Sequence, residues 1–260
     1  MYKGDTLYRC SEERIKERLS AFTDSTEAVT DTFIGQMRRL GADIISDDLG
    51  NIYATVPGYD ADEKKIVLSC PDASDSACIC TVSEVMETIV SADIPHRHAL
   101  TVLLWNGESS DKNLVPAMGL LCRDYLPDEV KKDYCGKMTT PTGTGGSENR
   151  LNTRDYRFMF EVHTSKAAKD KIGIADMISA ARNKKRAGLR YNEKLTGLAM
   201  NCAALCKADH DLVHFVHERD IWIASHMMPT AVILVGAPDV KLYKKASDIL
   251  LMTLMQADRI

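Results

Sequence analysis

No apolar run in this sequence approaches the roughly 20 residues that a membrane-spanning helix needs, which argues against membrane insertion. A surplus of positive charge is missing too: 33 Lys and Arg stand against 37 Asp and Glu, a formal net charge of −4. That balance attracts neither a phosphate backbone nor an anionic membrane surface, so no nucleic-acid partner is expected. The first residues, MYKGDTLYRCSEERIKERL, lack the apolar centre of a signal peptide, and a cytoplasmic location is the expectation. Cysteine is present eight times, but not at the spacing of a disulfide framework or a zinc site. Cys70, Cys78 and Cys80 crowd what reads as one loop, and Cys78-x-Cys80 is tighter than the usual zinc pair. Cys202 and Cys206 lie one helical turn apart in an apolar segment. Reduced thiols are the reading.

What is there is an ordinary globular composition, 45% hydrophobic and 27% charged, over 260 residues. Residues 11–19 read as a short helix capped by Ser11. In DSTEAVTDTFIGQMRRL the apolar residues Val29, Phe33, Ile34, Met37 and Leu40 recur at helical spacing, and Gly41 stands where a helix end favours glycine. Strands are predicted at 42–45, 51–56, 65–69, 100–105, 156–163 and 230–235, with 212–216 a further candidate. The segment 172–179 is either a strand or a strand's exit. Helices are predicted at 79–91, 113–125, 192–208, 221–228 and 247–256. Residues 136–152, rich in Gly, Thr and Ser, read as a flexible loop or linker. Lys184, Lys185, Arg186 and Arg190 form a small basic cluster, read as a solvated face. His210, His214 and His217 would share a face only if helical and are read as solvent-edge residues. Strands alternating with helices predict one α/β domain over 1–260, a three-layer α/β/α fold with a mostly parallel, mixed sheet.

The order of these segments resembles the di-zinc amidohydrolases and exopeptidases that include N-carbamoyl-amino-acid hydrolase and allantoate amidohydrolase. RLSAFTDSTEAVTDTFIGQMRRLGADIISDDLGNIYATVPG is similar to that family's opening, a helix, then G-A-x-I, then D-x-x-G-N-I-Y-A-x-x-P-G. LTVLLWNGES is similar to the strand that ends in Asn-Glu-Glu-Gly, FMFEVHTSKAAKDKIGIA to the Glu-Leu-His strand, and HMMPTAVILVGAPD to the late strand. The resemblance implies a zinc-exopeptidase-like catalytic domain holding two divalent metals, with a carboxylate base activating the water between them.

Carried over residue by residue, the resemblance implies a damaged site. The first ligand histidine falls on Pro71 and the aspartate that orients it on Ala73. The bridging aspartate matches Asp75, with Asp72 one slip away. The general base falls on Gly107, while Glu108 and His163 keep two metal-ligand positions. The late His-Asp pair falls on Arg219 and Asp220, and the C-terminal ligand histidine falls near Tyr243. The family's lid and dimerisation domain is absent, with the excision near 180–191. Asp75, Glu108 and His163 are thus vestigial metal-site candidates, with no catalytic residue and no cofactor expected. The implied protein is a pseudoenzyme that serves as a protein-interaction or structural subunit, or associates with itself. The alternative is a zinc- or manganese-dependent hydrolase of amide or ureido C–N bonds using a rearranged site.

Overall fold

The computed structural model describes residues 9–21, 26–46, 51–70, 75–105, 155–180, 187–215, 228–237 and 239–259. Their side chains are described except at 26–27, 76–77, 177–180, 187–190 and 215. The helices are α1 (Glu12–Ala21), α2 (Thr26–Arg39), α3 (Ser76–Ser91), α4 (Glu193–Leu205) and α5 (Val240–Ala257). The strands are β1 (Asp43–Ser46), β2 (Ile52–Val56), β3 (Lys65–Cys70), β4 (Leu100–Leu104), β5 (Tyr156–Thr164), β6 (Ile172–Ala180), β7 (Ala187–Arg190), β8 (His210–Phe215) and β9 (Thr230–Val235).

These strands form one sheet in the order β1-β2-β4-β3-β5-β9-β6-β7, with β8 also paired to β6. The centre, β4-β3-β5-β9, is parallel. The β1-β2-β4 flank is antiparallel, as are the pairs β6 makes with β9 and β7, while β8 runs parallel to β6. Central parallel strands bury both faces, and the sequence answers with near-continuous apolar runs such as IVLSC in β3 and TAVILV in β9.

Alternation then sorts the side chains. Ile66, Leu68, Val102, Leu104, Phe160, Val162, Ile233 and Val235 face a core that also holds residues of all five helices. The other face carries Val67, Leu103, Met159, Val232 and Leu234, equally buried. The fold is therefore α/β with a mixed sheet, as expected, buried on both faces and with the described helices packed on the first. Phe33 and Met37, one turn apart on α2, are fully buried, each contributing about 1.5–3 kcal/mol of apolar transfer. Gly41 follows α2 at φ +77°, a backbone state that glycine enters without strain. Among the described residues no helix is long and apolar enough to cross a membrane.

Most predicted elements are present with shifted ends. α3 begins at Ser76 rather than 79, so Cys78 and Cys80 lie on a helix and not in a loop with Cys70. Helix α5 begins at Val240 rather than 247, because Asp239 accepts the Lys241 and Leu242 amides and caps it there. Residues 172–180 are a full strand, and His210 and His214 sit on strand β8 rather than a helix. The readings at 113–125, 136–152, 184–186 and 221–227, and that at His217, lie outside the described residues.

Candidate functional site

The parallel strands β3 and β5 end side by side, Ser69 in register with Glu161. Carboxyl ends of parallel strands are where α/β folds gather chemistry. Three sequence candidates meet there. Asp75 precedes α3 and caps it, its Oδ1 accepting the Cys78 amide at 3.1 Å. From β5, the Thr164 amide donates to Asp75 Oδ2 at 3.1 Å and the Thr164 hydroxyl to Oδ1 at 3.2 Å. Tyr243, in the first turn of α5, is buried beside this pair. Burial pushes its phenol up to about 12, the Asp75 charge adds to the rise, and the Thr164 side chain opposes it.

His163 stands on β5 with its Nε2 against Glu161 Oε1. Positions i and i+2 of a strand share a face, so the pairing follows from the pleat. Glu161 is fully buried, and burial raises its carboxyl above the ordinary value of 4.5. The charge and hydrogen bond of His163 pull it down, and Asp75 pushes it up again. Tyr191 is buried nearby, its phenol raised first by burial and then by the Glu161 charge. Trp105 Nε1 donates to Ser69 Oγ at 2.9 Å, and Cys78 Sγ lies 3.8 Å from the Ser69 carbonyl, which fixes the end of β3.

Asp75, His163 and Tyr243 are thus brought to one edge of the sheet. Pro71, Asp72, Ala73, Gly107, Glu108, Arg219 and Asp220 lie outside the described residues. The described donors do not make up the ligand set that the resemblance implies, and Asp72 and Glu108 are not among them. Both Asp75 oxygens accept hydrogen bonds, His163 is held by Glu161, and Tyr243 brings a phenol rather than an imidazole. Among the described residues no group of three His, Cys, Asp or Glu side chains could hold an ion. What remains among the described residues is a buried carboxyl–imidazole pair, with no further metal ligand beside it.

Sequence reading missed Glu161, Thr164 and Tyr191. The two-residue spacing to His163 is a signal for Glu161. Thr164 and Tyr191 carry none, because their partners come from distant segments.

The fold is that of a class of amidohydrolases and peptidases. The chain is similar to a hydantoinase/carbamoylase family amidase from Burkholderia vietnamiensis, with TM-score 0.70 and 12% identity over 97% of this chain and 98% of that one. It is similar to AtUAH, solved with (S)-hydroxyglycine, with TM-score 0.70 and 9% identity over 98% and 100% of the two chains. It is also similar to the aminopeptidase PepT from Bacillus cereus, with TM-score 0.62 and 12% identity over 94% and 98%. At such identities the likeness is one of fold. No family model matches the sequence, and no curated protein does.

Proposed function

We propose that this chain is a non-catalytic relative of the di-metal amidohydrolases, a cytoplasmic α/β domain kept for contacts with another protein or with copies of itself. The observation that carries the reading is the engagement of Asp75. A carboxylate that bridges two ions uses both oxygens, and here three hydrogen bonds from Cys78 and Thr164 compete for their lone pairs. The pairing of His163 with Glu161 and the phenol of Tyr243 support the same reading. So does Gly107 at the position of the general base, whose loss typically costs about 10²–10⁴ in rate.

The route from β6 to α4 supports the loss of the lid. Strand β7 turns straight back on β6, Ala187 pairing with Ala180, and Asn192 then caps α4 by accepting the Leu195 amide at 3.1 Å. Only residues 181–186 lie between the two strands, too few for a domain. A surface once covered by a lid is bared by its removal, and bared apolar surface commonly becomes an interface.

The experiment is metal analysis of the full chain after equilibration with zinc and with manganese, beside hydrolysis assays on N-carbamoyl amino acids, ureido acids and dipeptides. The expected result is no stoichiometric ion, no hydrolysis above buffer, and a self-complex or captured partner in light scattering and cross-linking. Two tightly held ions lost on Glu108→Ala or His163→Ala, with turnover lost in parallel, would establish the metal-dependent hydrolase instead.

A further inference from the structure

Strand β8 closes one end of the sheet. Ile172, Gly173 and Ile174 of β6 pair with β9 and with β8 at once, and Met177 and Ile178 pair with β7 and with β8. A strand has two edges, so β9 and β7 share one side of β6 and β8 takes the other. Among the described residues no strand pairs with the outer edge of β8. The ladder fixes where its free groups point. The Ile172 amide donates to the Asp209 carbonyl at 3.1 Å, and in a parallel pair a residue bonds the two neighbours of the residue it faces, here His210. Asp211 therefore turns its amide and carbonyl toward β6, while His210 and Leu212 turn theirs outward. Folds commonly blunt such an edge with lysine, proline or a very short strand. Strand β8 has six residues, HDLVHF, against four in β1 at the far end of the sheet, and neither Lys nor Pro. Its one carboxylate, Asp211, lies 3.5 Å from Lys171. Leu212, in the middle of the edge, is 53% exposed and also lines a cavity beside α4 together with Met200.

We propose that this edge pairs with a second copy of the chain, β8 against β8, antiparallel across a two-fold axis through Leu212. The inference rests on the self-association named above and gives it a surface. A two-fold axis normal to the sheet keeps every side chain on its own face, so opposed residues must share a face. With Leu212 opposite Leu212, the outward amide of each copy donates to the outward carbonyl of the other. The exposed apolar side chain then meets its own equivalent at the centre. His210 of one copy faces His214 of the other, and Asp211 faces Val213, so no carboxylate opposes a carboxylate. A strand whose apolar centre and backbone groups complement themselves in this way selects a second copy over a foreign strand. The contact is isologous and uses up this edge in both copies, so association through it stops at two.

The test follows the full chain by light scattering and sedimentation over a concentration series. The parent should dimerise. Leu212→Pro removes an N–H that serves the axis and not the β6 ladder, and should raise the dimer dissociation constant about tenfold or more, because two hydrogen bonds are lost per dimer. Leu212→Lys keeps the backbone and sets two like charges at the axis; it should weaken the dimer equally and carries the test if the proline variant does not fold. Leu212→Cys should give a covalent dimer on mild oxidation with diamide, absent from the parent and joined through residue 212 of both copies. Residues opposed in a hydrogen-bonded antiparallel pair lie about 5.5 Å apart at Cα, within reach of a disulfide. Val213→Cys, which faces Asp211, should give none. A monomeric parent, including one whose edge is filled by another protein's strand, would overturn the proposal. So would a dimer that Leu212→Lys leaves intact, or cross-linking through 213 and not 212. Bound metal or hydrolysis in the same samples would remove the non-catalytic reading and leave this pairing standing.

Discussion

Thr164 is joined to Asp75 twice, its amide at 3.1 Å from Oδ2 and its hydroxyl at 3.2 Å from Oδ1. Asp75 Oδ1 also accepts the Cys78 amide that opens α3. One carboxylate therefore ties the end of β5 to the start of α3, two segments distant in sequence. That relationship makes Asp75 a structural clasp, and the first prediction rests on it.

Asp75→Ala should destabilise the fold by about 1–2 kcal/mol, the usual cost of losing a helix cap. Asp75→Asn, which keeps an acceptor, should cost less. Urea unfolding with and without chelator measures both. A clasp costs the same in either buffer, whereas a bridging ligand would lose its contribution once the chelator had stripped the parent protein.

Glu161 sets a slope of stability against pH. Its folded pKa is raised above 4.5, chiefly by burial, so the folded state binds more protons than the unfolded state just above that pH. Stability should therefore fall as pH rises from 4.5 through the folded pKa, the reverse of the usual carboxylate case. Glu161→Gln, a mimic of the protonated acid, should remove the slope without destabilising the protein at neutral pH. Urea midpoints measured between pH 4.5 and neutrality report it; a parent and a variant with the same slope would contradict it.

Glu84 behaves in the opposite sense. Burial alone would raise its carboxyl, but hydrogen bonds from Arg14, the Ser11 amide and Arg18 overcome that and hold it below 4.5. Arg14 Nη2 reaches it at 2.5 Å, the Ser11 amide at 2.6 Å, and the buried Arg18 pairs with both Glu84 and Glu87. The stability this adds is present above the unfolded pKa and is lost as pH falls through the lowered folded value. Glu84→Gln should cost about 3 kcal/mol at neutral pH, the low end for breaking a buried pair, because Glu87 still reaches Arg18. Hydrogen exchange should then show α1 opening first.

The thiols should be slow to react. Cys10, Cys70, Cys78, Cys80 and Cys202 are buried and unpaired, and Cys206 is half-buried. Burial raises Cys80 to about 12, with the Arg18 charge opposing, and Cys206 to about 11, so little thiolate forms at neutral pH. Native-state alkylation followed by peptide mass mapping should modify Cys206 first among these six. Rapid labelling of Cys78 in folded protein would contradict the burial.

Much of the fold was legible because its signals are local. The spacing of Val29, Phe33 and Met37 marks α2, and the unbroken runs in β3 and β9 mark strands buried on both faces. The start of α3 was misread because its opening turn, SACICTV, lacks a clean apolar stripe. Its boundary is set by Asp75, whose side chain accepts the Cys78 amide.

The amino-acid string alone was enough to specify the alternation of strands and helices, the parallel centre, and the placing of Glu161 and His163 on one face of a strand. All of these follow from periods of 2 and 3.6 residues, which any short window displays. Which partners those side chains would meet was beyond its reach. Thr164 finds Asp75, Glu161 finds a buried neighbour in Tyr191, and the wall of the α4 cavity is assembled from β6, β8 and α4. Such contacts arise when packing and register bring distant segments together, and no local pattern encodes the distance between them.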